Sequence, residues 1–219
     1  MKIPVPLKVL LKDELNESFT KLLQYNNYIE SYLDNELKKH NEETAKLIAD
    51  EVDEDIYYDH IFNTMGSFNQ LYNTFPNLLR SSNLTNILCV FEIALKDYCE
   101  NYAYNHNIKL TLRDLRGASD FEKIKIFLTK IVKINFDNIN KEWNYIDNCR
   151  IVRNKFVHHQ GITYIVDNDF KKINQFITEN TDVISIKIKN NELGIIKLEK
   201  LFPAKLIDCI FKMIDNMDI

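Results

Sequence analysis

Glycine and proline are scarce, four of each in 219 residues. That leaves few sites for the tight turns of a many-stranded sandwich or barrel, and argues against a glycine-rich nucleotide fold. Cysteine is sparse too. Cys89, Cys99, Cys149 and Cys209 form no CxxC pair and no His/Cys ligand cluster, so they read as buried thiols of a reducing compartment, with no structural zinc site. There is no basic excess: 28 Lys and Arg against 32 Asp and Glu give a net charge of −4. A pI near 5.8 does not suit a protein that coats long nucleic acid by charge alone. No apolar run approaches ~18 residues, and residues 1–8 lack the apolar core of a signal peptide. The expectation is a soluble, cytoplasmic protein without membrane contact.

What is present is ordinary globular composition, 45% hydrophobic and 27% charged, with no repeat and no low-complexity linker. A mainly helical fold is expected. Leu11, Leu15, Phe19, Leu22, Leu23, Ile29, Leu33 and Leu37 recur at helical spacing, fraying in the charged stretch 38–43. A second run passes through Leu47, Ile48, Val52, Ile56, Ile61, Met65, Phe68, Leu71 and Phe75, and Pro76 is expected to stop it. The two predict an N-terminal helical hairpin, read as scaffold or oligomer contact.

A third helix is predicted from Ser81, Ser82 or Asn83, all good N-caps, to about Tyr104. Glu92 lies on its apolar face between Leu88 and Leu95. It must therefore be paired or reach water at the helix edge. Ser119 and Glu122 form a capping box for a fourth helix, with Ile124, Phe127, Leu128 and Ile131 facing inward. A fifth starts near Asp137, carries Trp143 and ends near His159, where Gly161 stops it. Residues 183–188 alternate with period two, Asn190 and Asn191 make a turn, and residues 193–198 are strand-like again, which predicts a β-hairpin. A closing helix spans residues 203–217. Met65, Trp143 and the tyrosines are expected in the core rather than as a stacking platform. The chain divides into a hairpin (1–77), a helical core (78–165) and a β-hairpin with closing helix (166–219), packed as one body.

The stretch that could carry chemistry lies at the end of the fifth helix. From Cys149 to Val166 it holds Arg150, Arg153, Lys155, His158 and His159, and no acid. Asn154 and His158 are four apart, so the amide can orient the imidazole, and Arg150 shares that face. Arg153 lies about 140° from His158 around an ideal helix. They converge on one target only over the edge between them, or if the helix unwinds. An Arg with a His and no acid pair or metal cluster suits a phosphate: the guanidinium neutralises its charge and the imidazole moves a proton.

Arg153, Asn154, Lys155, Phe156, Val157 and His158, followed by Gly161, resemble the Arg-x4–6-His motif of the HEPN superfamily, in which a polar residue often follows the Arg. The stretch from Arg80 to Glu92 is similar to the helix that presents a Glu to the site in abortive-infection and toxin-type members. The likeness covers roughly residues 78–165. It implies an up-and-down helical bundle, usually a homodimer whose two motifs line one composite cleft, and cleavage of RNA by a metal-independent endoribonuclease that needs no cofactor. The 2′-OH of the RNA would attack its own phosphate, with His158 transferring protons, Arg153 stabilising charge on phosphorus and Asn154 positioning the imidazole or a phosphate oxygen. Glu92, Arg150, Lys155 and His159 would support them, His159 also offering an Arg-x5-His alternative. The role implied is a toxin or antiviral effector acting on tRNA, mRNA or phage RNA, with an antitoxin or regulatory protein as a further partner. Members paired with nucleotidyltransferase antitoxins tend to carry a Tyr two residues after the His, where this chain has Gln160. The alternative is a non-catalytic RNA- or protein-binding module.

Overall fold

The apolar stripe of the first helix, α1 (Leu7–Ala49), buries Leu11, Leu15, Phe19 and Leu33. The computed structural model describes residues 6–49 and 53–218 and is mainly helical with one small antiparallel sheet. The fraying expected at residues 38–43 does not occur. Lys39 pairs with Glu36 and Lys38 with Glu42, the Thr44 hydroxyl donates to the His40 carbonyl, and the His40 ring lies 5.6 Å from that of Phe68. Such i,i+3 and i,i+4 pairs each add a few tenths of a kcal/mol, enough to carry a polar stretch. Leu47 and Ile48 belong to the end of α1, while Val52 lies outside the described residues.

Helix α2 (Glu54–Asn69) is capped by the Asp53 carboxylate, which accepts from the Asp55 N–H. Pro76 does not stop it. A π-helical turn, Gln70–Thr74, joins α2 directly to α3 (Phe75–Asn105), with Pro76 in the first turn of the latter. The Phe75 N–H bonds the Gln70 carbonyl five residues back. The widened turn moves the carbonyls that a proline ring would otherwise strike, and Pro76 has no N–H to satisfy. Ser81, Ser82 and Asn83 are therefore interior positions of α3: Ser81 Oγ donates to the Leu78 carbonyl and Asn83 is buried. The boundary between residues 77 and 78 falls inside this continuous helix.

Helix α3 is the axis of the core, burying Leu84, Ile87, Leu88, Phe91, Ala94, Leu95, Tyr98 and Cys99 against α1, α4 (Asp120–Phe127), α5 (Asn140–His159) and α7 (Phe202–Asp215). Ser119 caps α4 as expected, accepting from the Glu122 N–H at 3.2 Å, but Glu122 reaches back to Ala118 rather than Ser119. Trp143 on α5 is buried, stacked 4.1 Å from Phe121. Helix α5 starts later than Asp137, which sits in a 3-10 turn, Phe136–Asn138.

The predicted hairpin forms from β2 (Ile184–Lys189) and β3 (Leu193–Leu198), with Asn190 and Asn191 at φ 52° and 54°. Both angles lie in the left-handed region that asparagine tolerates, and the Glu192 N–H closes the turn on the Lys189 carbonyl at 3.1 Å, one residue before the Lys189–Leu193 pair. A third strand, β1 (Ile162–Tyr164), and helix α6 (Phe170–Thr178) were not anticipated; β1 pairs with β3, giving the order β1-β3-β2, all antiparallel. Two core expectations are corrected. Met65 and Tyr25, Tyr28, Tyr32, Tyr58, Tyr72, Tyr104 and Tyr164 are exposed, while Trp143 and Tyr98 are buried. Cys89 is exposed, whereas burial pushes the thiols of Cys99 and Cys209 up to about 12 and that of Cys149 well above its ordinary value. Among the described residues one helix, Glu54–Asn105, is long and apolar enough by composition to cross a membrane, and half of its 18-residue apolar window is buried in the protein.

Candidate functional site

Helix α5 presents its C-terminal turns at the edge of the sheet because of how it ends. Gln160 and Gly161 both take positive φ, 53° and 80°, which turns their N–H groups back onto the Phe156 and Lys155 carbonyls. The Gly161 carbonyl then accepts from the Ile196 N–H, tying the turn to β3. A Cβ at Gly161 would lie 2.7 Å from the Phe156 ring, so glycine is required on both conformational and steric grounds. The helix stays regular through His159, and no unwinding brings Arg153 and His158 onto one side.

The cluster of cations read from the sequence is largely neutralised by acids from just outside that window. Lys155 is buried, donating to Asp167 Oδ2 at 2.9 Å and lying 2.8 Å from Asp169 Oδ1. Burial opposes its charge, but the Asp169 and Asp167 carboxylates outweigh it and hold the pKa above the usual lysine value. Asp167 is correspondingly held below the usual carboxylate range, by Lys155 first and by the Tyr164 N–H second. Lys155 thus locks the turn after β1. Arg150 is half-buried, bonded to Asp147 at 3.1 Å with its guanidinium 4.2 Å over the Phe121 ring.

Arg153 is different. Among the described residues no carboxylate lies within ion-pair distance of its guanidinium, and its Nε is enclosed without a hydrogen-bond partner. Asn154, His158 and His159 are exposed, the two imidazole rings 6.4 Å apart. No hydrogen bond joins Asn154 to His158 among the described residues. Glu92 is half-buried and paired: Lys96 Nζ lies 3.4 Å from it and 2.7 Å from Asp120. None of its ion pairs reaches Arg153. The motif therefore reduces to Arg153, Asn154, His158 and His159 as available groups, flanked by exposed Val157, Tyr164 and Val166.

The motif sits on an open surface. A cleft of about 600 Å3 between α5, α6 and α7 is lined by Lys141, Asn144, Tyr145, Asn148, Lys205 and Cys209 among others, and one of about 510 Å3 lies beside Arg113 and Tyr104. Neither includes a motif residue. Among the described residues no group of three or more His, Cys, Asp or Glu comes together as a metal site. Sequence reasoning missed Asp167 and Asp169 because they lie beyond the stretch it examined. It also missed a buried polar tie: Arg80 donates to both Glu30 oxygens, at 2.6 and 2.9 Å, and to the Leu198 carbonyl. The signal was Asn26 and Glu30 interrupting the apolar stripe of α1, facing Asn83 and Arg80 of α3. Comparison with protein-family models, curated proteins and solved structures found no match.

Proposed function

We propose that this protein is a metal-independent endoribonuclease of HEPN type, with α3, α4 and α5 as its catalytic helices, acting in the cytoplasm as a toxin or antiviral effector. The observation that carries the reading is Arg153: of the three cations in the motif it alone lacks a carboxylate partner, and it lies within two helical turns of an exposed His158. An unpaired guanidinium and a solvent-accessible imidazole, one from each of two copies, suit a phosphodiester.

The substrate brings its own nucleophile. The 2′-oxygen bonds to phosphorus as the P–O5′ bond breaks, the 2′-OH proton is taken up, and a proton is delivered to the departing 5′-oxygen. The ends left are a 2′,3′-cyclic phosphate and a 5′-OH, so DNA is inert. His158 moves the protons, Arg153 offsets the charge that builds on the phosphoryl oxygens, and Asn154 holds a phosphate oxygen or the imidazole. Because Arg153 and His158 diverge around a regular helix, a second copy supplies the missing half, and Val157, Tyr164 and Val166 offer it an apolar rim.

The openness of the motif favours one other reading, an RNA- or protein-binding surface without turnover. RNA cleavage in EDTA separates them. The wild type should yield cyclic-phosphate ends, and Arg153→Ala and His158→Ala should each lose about 100-fold or more in rate with unchanged circular dichroism. Equal cleavage by the His158→Ala protein sinks the nuclease reading, and saturable binding without cleavage by either protein supports the surface.

A further inference from the structure

Helix α2 is poorly covered for an element of its composition. Across residues 54–74 no residue whose burial is described is buried, although Phe62 is 81% exposed, Met65 60%, Tyr58 63% and Tyr72 50%. Helices of this length draw most of their stability from tertiary packing. Tyr58, Phe62, Met65, Asn69 and Tyr72 follow 4-3-4-3 spacing, the seam of a two-helix contact, with Phe68 beside them stacked on Tyr72. We propose that this seam is the contact between two copies of the chain, α2 packing antiparallel on α2 about a two-fold axis near Met65. This interface is separate from the α5 contact and does not depend on the chemistry proposed there; where both form, two distinct two-fold axes close the chain as a tetramer, which Phe62→Lys reduces to the α5 dimer.

Charge selects the occupant and its direction. No Lys or Arg occurs between Lys46 and Arg80, and the acids of α2 gather at its start: Asp53, Glu54, Asp55 and Asp59. A parallel pair would bring these acids together. The antiparallel pair separates them by ~27 Å, at 1.5 Å per residue, well beyond the ~8 Å screening length. It also opposes them to the other end of the seam, where Lys197 Nζ sits 5.4 Å over the Tyr72 ring and pairs only loosely, at 4.0 Å, with Glu199 Oε1. Asp55 and Asp59 of one copy thus meet the partner subunit's Lys197. The area is adequate. At about 100 Å2 for each of five side chains, two copies cover on the order of 1,000 Å2, the threshold for a specific interface.

The test is the mass of the full chain in solution, without RNA, by light scattering. Phe62→Lys should halve the mass, and an unchanged mass or a monomeric wild type overturns the proposal. Register is read by cysteine cross-linking in a Cys89→Ser background. Met65→Cys should form a disulfide-linked dimer on air oxidation, and Tyr58→Cys should not unless Tyr72→Cys is added. No Met65→Cys link, or a Tyr58→Cys self-link indicating parallel pairing, overturns it. RNA cleavage is scored separately, so the two proposals fail independently.

Discussion

Glu30 is 1% exposed on α1, and its charge is met there by the fork of Arg80, whose third donor holds the last carbonyl of β3. Desolvating two such charges costs about what their attraction returns, so the pair specifies how α1, α3 and β3 meet more than it adds net stability. Removing one partner is another matter. Glu30→Ala leaves the buried guanidinium with only the Leu198 carbonyl and Glu199 Oε2 at 3.9 Å, and should cost about 3 kcal/mol in urea unfolding, whereas Glu30→Met with Arg80→Met should recover most of it. A loss below about 1 kcal/mol for the single variant would mean that water reaches Arg80. The same arithmetic explains what the sequence could and could not say about α5. Arg153, His158 and their helical phase were legible, because residue type and a regular helix determine them. The fate of Lys155 was not, since it depends on a turn that brings Asp167 and Asp169 back along the chain.

Elements were legible where a local signal is sufficient. Alternation and two asparagines placed β2 and β3, and Ser119 placed the start of α4. Strand β1 is three residues long and exists only because β3 offers it a free edge, so no periodicity announces it. Pro76 misled because a π-turn precedes it and leaves it in the first turn of α3, where its missing N–H breaks no helix bond. The end of α5 is the element-scale feature most open to test. Gly161→Ala must hold a side chain at φ 80° and push it into the Phe156 ring. The expected cost is about 1–2 kcal/mol. It should appear as a lower melting temperature, with hydrogen exchange faster at β1 than in the α3 core. An unchanged melting temperature would show that the turn relaxes freely.

At the scale of the whole molecule, the elements around the core are tied to one another by carboxylates that each bridge two of them. Asp120 on α4 meets Lys96 on α3, Asp167 meets Lys155 on α5, and Asp182 before β2 meets Lys205 on α7 in a two-oxygen contact. All three carboxyl groups are held below their ordinary value by these lysines. A carboxyl whose folded pKa is lowered contributes stability that is fully present above the unfolded value, near ~3.9, and is lost as pH falls through the folded value. The urea midpoint should therefore be flat from about pH 7 to 5 and fall below about pH 4. Each tie is partly exposed, so each contributes little alone and the fall should be shallow. Lys205→Met should lower the midpoint at pH 7 and flatten the acid limb, because Lys205 is the largest cause lowering the Asp182 pKa. An acid limb of unchanged steepness in that variant would place the acid sensitivity at the other ties, of which Asp120 with Lys96 is tested by Lys96→Met.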